Sequence, residues 1–113
     1  MVSAYPGLAS GTVGAIGELR VAVDLLRRGL PVFRSLSPAC LCDLVIVTVT
    51  RIYRIEVRTA YKRRYASGVY YPRTDEGKFD IFAGVLPDSI FYDPSGATSA
   101  EELASLGLGD PAS

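Results

Sequence analysis

Two runs of strand-forming residues stand nearly back to back in the middle of this 113-residue chain, and no other feature restricts its fold so tightly. Asp43 to Val49 is apolar and rich in β-branched side chains, which suit a pleated strand. Ile52 to Arg58 alternates, with Tyr53, Ile55 and Val57 on one face and Arg54, Glu56 and Arg58 on the other. The gap between the runs leaves room only for a tight turn near Val49 and Thr50, so they are expected to pair as an antiparallel hairpin. Asp43 then falls opposite Glu56 on the same face. No Asn-Gly or Asp-Gly pair fixes that turn, which leaves a slip of register open.

Around this hairpin the other elements can be placed from periodicity. A helical repeat runs from Thr12 to Arg28, with Thr12 as the expected N-cap and Gly29 as the stop before Pro31. On the helical wheel Ala15, Ala22, Leu25 and Leu26 surround Glu18, while Arg20 and Arg27 lie on the far side. Glu18 is thus expected on the face that turns to the core, where an ionised carboxylate is costly unless it is paired or bound to metal. Leu30 to Leu36 reads as a short strand, followed by a turn at Ser37 and Pro38. Further strands are expected at Val69–Tyr71, Phe79–Val85 and Ile90–Tyr92, the last two joined across Pro87 and Asp88. Thr98 to Leu106 reads as a short helix capped by Thr98 or Ser99, with Glu101 and Glu102 in its first turn. One helix, an antiparallel run of strands and a small helix define an α+β or mixed α/β fold. The expected organisation is a single domain over residues 1–113, with an arm at 1–10, a core at about 11–94 and a tail at 95–113.

A hydrophobic fraction of 49% and a mean hydropathy of +0.24 argue against disorder. No stretch approaches the roughly 20 apolar residues of a membrane span, and the first residues lack the basic start and apolar run of a signal peptide. The expectation is a soluble, cytoplasmic protein. Its zero net charge hides a division: eleven basic residues against four acidic ones up to Thr74, then one against eight. Such a division can build a basic face for a polyanion. With Cys40 and Cys42 the only cysteines and no histidine, a four-ligand zinc site within one chain is disfavoured. Alternation along a strand also turns Cys40 and Cys42 to opposite faces, so reduced thiols are expected rather than a disulfide.

The few acids of the basic segment are the candidate chemistry. Glu18 on the helix, Asp43 opening a strand and Glu56 inside the next strand offer the hard oxygen donors that Mg²⁺ takes, a nuclease-like set. Plainer roles exist for two of them: Glu56 can pair with Arg54 and Arg58, and Asp43 can cap the start of its strand. Downstream, Lys62-Arg63-Arg64 between Tyr61 and Tyr65, followed by Tyr70, Tyr71 and Arg73, reads as a strip for phosphate contact, with aromatics for sugar or base.

Gly17-Glu18, Cys42-Asp43-Leu44-Val45, Ile55-Glu56-Val57-Arg58-Thr59-Ala60, Phe79-Asp80-Ile81-Phe82 and Ile90-Phe91-Tyr92 together resemble the PD-(D/E)XK nuclease superfamily. The likeness is nearest to small single-domain members such as its intron-encoded homing endonuclease and the archaeal Holliday-junction resolvases, and it spans roughly residues 11 to 94. It implies a restriction-endonuclease-like core with a mixed sheet, and hydrolysis of DNA phosphodiester bonds with Mg²⁺ or Mn²⁺. Asp43 and Glu56, the Val57 carbonyl and Glu18 would then be the metal ligands, Glu18 alternatively orienting the attacking water, and Glu18, Asp43, Glu56 and Arg58 the catalytic set. DNA would be held by Arg54, Lys62, Arg63, Arg64 and Arg73, and cutting two strands implies a homodimer or larger homo-oligomer. Cys42 stands where the family name has proline. Arg58 stands where it has lysine, and an arginine stays protonated, so it can hold a phosphate but cannot take a proton from water. A DNA-binding module without catalysis, or a subunit recruiting a partner through its acidic last third, are the alternatives.

Overall fold

The computed structural model describes residues 6–37, 42–62, 69–70 and 78–109. Helix α1 (Ser10–Arg27) leads into strands β1 (Val32–Arg34), β2 (Leu44–Val47) and β3 (Ile52–Thr59), then β4 (Tyr61–Lys62), β5 (Val69–Tyr70), β6 (Ile81–Val85) and β7 (Ile90–Pro94), and helix α2 (Ala100–Ser105). Five strands form one sheet in the order β1-β2-β3-β6-β7, while β4 and β5 pair with each other. The fold is α+β, as the sequence suggested.

The central hairpin has the expected register, with Leu44 opposite Ile55 and Val47 opposite Ile52. Its turn is fixed by a side chain instead of a glycine. The Thr48 N–H and the Thr48 hydroxyl both donate to the Arg51 carbonyl, at 2.9 and 2.8 Å, and that hydroxyl accepts the Arg51 N–H at 3.1 Å. The antiparallel run read from the residue pattern is corrected, and the sheet is mixed as the resemblance implied: β3 and β6 are parallel, with Ile55 opposite Ile81 and Thr59 opposite Val85. The stretch from Ala60 to Asp80 is long enough for the crossover that parallel strands require.

α1 starts at Ser10 with Ala9 at the cap and no side-chain cap bond, so Thr12 is not the N-cap. Its end follows expectation. Gly29 takes φ +83°, and the N–H groups of Leu30 and Gly29 reach the carbonyls of Leu25 and Leu26 at 3.1 and 2.9 Å, a Schellman closure. The buried face of α1 is Gly17, Val21 and Leu25, so Glu18 lies on its flank and Leu26, expected inward, is 57% exposed.

Val21 and Leu25 pack on one face of the sheet with Leu44, Ile46, Tyr53, Ile55, Val57, Ile81, Ala83, Val85 and Tyr92, closed below by Leu103 and Leu108. The other face holds the rings of Phe79, Phe82 and Phe91, with successive centroids 6.3 Å apart. Gly84 sits opposite Phe91, and a Cβ there would come within 2.2 Å of the ring, so glycine is what lets β7 lie flat on β6.

At the end of the sheet Asp80, only 7% exposed, ties the hairpin to β6. Its Oδ2 accepts the Arg54 backbone N–H at 2.8 Å and Arg54 Nε at 3.1 Å, and its Oδ1 accepts Arg51 Nη2 at 3.2 Å. Arg51 Nη1 continues to Glu102 Oε2 at 2.7 Å, where the Tyr53 hydroxyl also donates at 2.9 Å. Glu102 completes a capping box with Ser99, so this network locks α2 in place. Burial acts to raise the Asp80 pKa, but the hydrogen bonds and charges of Arg54 and Arg51 outweigh it and hold the carboxyl below its ordinary value.

Breaking a buried pair leaves its partners uncompensated, so Asp80→Ala is expected to cost about 3 kcal/mol in urea unfolding. Because the folded pKa is depressed, this stabilisation is present above the ordinary carboxylate value of about 3.9 and is lost as pH falls through the lower folded value. The stability gap between parent and Asp80→Asn should therefore narrow below about pH 4.

Candidate active site

β3 is longer than its neighbour, and the excess creates the site. Leu44 to Val47 cover only Ile52 to Ile55, whereas Glu56 to Thr59 keep a partner on the β6 side alone. Extended by one residue, the hairpin register would set Asp43 opposite Glu56, but the ladder breaks there. The Asp43 N–H goes to the Ile55 carbonyl at 3.0 Å, and its side-chain Oδ2 accepts the Val57 N–H at 2.8 Å. A carboxylate thus takes the place that the Cys42 carbonyl would hold in an uninterrupted ladder. The side chain thus caps the open edge of β3 instead of a turn at the start of its own strand, and it leaves a second carboxylate oxygen at the mouth of the wedge.

The residues predicted as a site gather around this one peptide. On a strand a residue's N–H and C=O point to the same side, so the Val57 carbonyl opens into the wedge too, where Arg58 Nη1 donates to it at 3.2 Å. Another nitrogen of the Arg58 guanidinium forms an ion pair with Glu56, which is 8% exposed. Alternation puts Glu56 and Arg58 on the sheet face away from α1. α1 crosses above: the place a Cβ of Gly17 would occupy lies 3.8 Å from Val57 Cγ1 and Val85 Cγ2. The next residue is Glu18, whose Oε1 faces Arg34 Nε at 3.6 Å. Burial, and then the nearby charge of Asp43, raise the Glu18 pKa, and Arg34 offsets only part of this.

Oxygen donors of the kind a hard cation takes are therefore present: the free oxygen of Asp43, the Glu18 carboxylate, the Val57 carbonyl, and Glu56. The repulsion between Glu18 and Asp43 is what a cation between them would relieve. As placed, however, no three His, Cys, Asp or Glu side chains among the described residues form one group able to hold a metal ion. The expected convergence of all three acids is not seen, because each is turned to a protein partner: Glu56 to Arg58, Asp43 to the Val57 N–H, Glu18 to Arg34. Arg54 shares the strand face of Glu56 but its guanidinium lies on Asp80. Arg63, Arg64 and Arg73 lie outside the described residues, as does the Lys62 side chain; the Lys62 backbone is part of β4.

Sequence reasoning missed Arg34. It sits on β1 opposite Leu44, and no local signal links it to a glutamate on the preceding helix. Beside Asp43, Arg34 also helps line a shallow recess of about 220 Å³ with Phe33, Cys42 and Val45.

No family model matches the chain, and no curated protein is similar to it in sequence. Among solved structures it is similar to a bacterial homing endonuclease, I-Ssp6803I, with a TM-score of 0.62 and 13% identity, over 90% of this chain and 75% of that one. The likeness covers the helix, the mixed sheet and the short C-terminal helix, and at this identity it establishes the fold. No described helix is long and apolar enough to cross a membrane.

The Glu18 shift gives a test of strain at this site. A carboxyl whose folded pKa is raised adds stability that is present at low pH and lost as pH rises through the folded value. Glu18→Gln should therefore raise the thermal midpoint near neutral pH, and the gain should vanish near about pH 3.5, where the parent's carboxyl is protonated. An unchanged or lower midpoint at neutral pH would show that Arg34 fully compensates the ionised group.

Proposed function

We propose that this protein is a metal-dependent endodeoxyribonuclease of the PD-(D/E)XK type, hydrolysing DNA phosphodiester bonds as a homo-oligomer. The observation that carries the reading is the Val57 peptide at the open edge of β3, with Asp43 on its N–H, Arg58 on its carbonyl and Glu18 close enough to feel Asp43. The fold shared with a homing endonuclease supports it.

In this reading Asp43, Glu56, the Val57 carbonyl and Glu18 hold Mg²⁺ or Mn²⁺. The ion supplies a bound water of lowered pKa and a counter-charge for the phosphate. Arg58 cannot act as a base, since its guanidinium stays protonated. Its part is to leave Glu56 and donate to a phosphate oxygen whose charge grows in the transition state. Release of Arg58 would also remove its positive charge from the Glu56 carboxylate. Lys62, Arg63, Arg64, Arg73 and Arg54 are the proposed phosphate contacts; each contact adds about 0.9 to the salt slope on duplex DNA.

Cleavage of supercoiled, linear and four-way DNA with Mg²⁺ and Mn²⁺ tests the proposal. Asp43→Asn and Glu56→Gln should abolish cutting and leave DNA affinity equal or higher, because removing a carboxylate also removes repulsion with phosphate. Cutting by either variant at the parental rate would defeat the assignment.

Arg58 separates the two remaining readings. The closed Arg58–Glu56 pair favours a second one, a domain of the same fold that binds DNA without cutting it. If Arg58 serves catalysis, Arg58→Lys should keep or raise activity and Arg58→Ala should lower it by about 10²- to 10³-fold. If all three forms bind DNA, none cuts, and calorimetry detects no Mg²⁺ or Mn²⁺ binding with DNA present, the binding module is correct.

A further inference from the structure

α1 carries a second apolar stripe that no described residue covers. Leu19, Val23 and Leu26 follow the i, i+4, i+7 spacing of one helix face and are 52%, 47% and 57% exposed. That face is distinct from the Gly17, Val21 and Leu25 face buried on the sheet. Leu19 and Val23 of this stripe line one wall of a groove of about 460 Å³, and Ile90 at the start of β7 contributes to the other wall. Apolar side chains at helical spacing over two turns are a costly surface to leave in water.

The charges on the groove identify what covers it. Arg20 and Arg27 line its helix bank, and Asp88, in the turn between β6 and β7, lines the opposite bank. Among the described residues these three side chains form no ion pair or hydrogen bond, whereas Asp24, also in the groove, is engaged by Arg28 Nε at 3.0 Å and the Tyr92 hydroxyl at 2.6 Å. A nucleic acid or an anionic membrane would select cations alone. Unpaired charges of both signs across an apolar seam instead suit a second copy of the same surface. A two-fold axis brings each copy's arginines to the other's aspartate, so a single patch is complementary to itself.

We infer that the Leu19–Val23–Leu26 stripe of α1, with Arg20, Arg27 and Asp88 at its rim, is the surface through which two copies of this chain associate. The inference rests on the proposed function only for the expectation of a homo-oligomer; the surface is argued from its own residues.

Sedimentation of the full chain over a wide concentration range tests it. The parent should dimerise, and Leu19→Glu should weaken association by about 30-fold or more, the loss expected at a central contact worth about 2 kcal/mol. Val23→Lys should do the same, and circular dichroism melts of both variants confirm that an exposed substitution leaves the fold intact. Asp88→Arg should also weaken the dimer, and adding Arg20→Asp or Arg27→Asp to the same chain should restore it, identifying the arginine that Asp88 meets. A monomeric parent, a dimer indifferent to Leu19→Glu and Val23→Lys, or failure of both charge reversals to rescue would overturn the inference. Cleavage assays on the same samples keep the two proposals apart: a dimer with this behaviour that never cuts DNA sinks the nuclease reading alone, and a monomer that cuts sinks this one.

Discussion

The backbone of β3 must be satisfied on both sides, and the rest of the molecule can be understood from how that is done. β3 lies in the middle of the sheet, and half of its residues are buried. Buried N–H and C=O groups left without partners cost as much as lost hydrogen bonds. β6 serves one side along the upper half of the strand, and β2 serves the other side only as far as Ile55. Beyond that point, side chains stand in for a neighbouring strand, with Asp43 on the Val57 N–H and Arg58 on the Val57 carbonyl. A polar, carboxylate-lined wedge is thus a direct product of unequal strand lengths.

Two acids near opposite ends of this sheet show how burial can be compensated or left uncompensated. Asp80 is the more deeply buried, yet two arginines and a backbone N–H lower its pKa, so its charge favours folding. Glu18 keeps more solvent but faces Asp43 and has one arginine at 3.6 Å, so its pKa rises and its charge opposes folding. The fold thus compensates one carboxylate fully and leaves the other strained. The arginines follow the same division. Arg51 and Arg54 are committed to Asp80, while Arg58 bridges two groups that a ligand could claim.

What was legible in the sequence was local. The hairpin and its register followed from β-branched runs and alternation, the end of α1 from Gly29, and the α2 cap from Ser99. Thr48 was not foreseen as the residue that fixes the turn, because a threonine has no distinctive turn signature until its hydroxyl is seen between two backbone groups. The parallel pairing of β3 with β6 was hidden for a related reason: strand direction is decided by a crossover, and residues 63–68 and 71–77 carry no periodicity that reveals one. The Asp80 network joins residues 26 and 29 apart, and the Arg34–Glu18 pair joins a strand to the helix before it. Such long-range contacts leave no mark on spacing. The candidate acids stand out because they are scarce in a basic segment, while the orientation of each depends on partners that spacing cannot show.

The Arg58–Glu56 pair is where fold and chemistry meet most closely. A buried glutamate needs a counter-charge, and an arginine two residues along the same strand face supplies it with one side of its guanidinium while the other side holds Val57. A lysine, with a compact charge on a flexible stem, could not hold both groups in one planar fork. Arginine at this position therefore stabilises the closed wedge better than lysine would. It also makes opening the wedge costlier, since any ligand that takes Glu56 or the Val57 carbonyl must first replace both of its bonds. A phosphate would offer the departing guanidinium an anion of suitable geometry, but the buried Glu56 would then need another cation in its place.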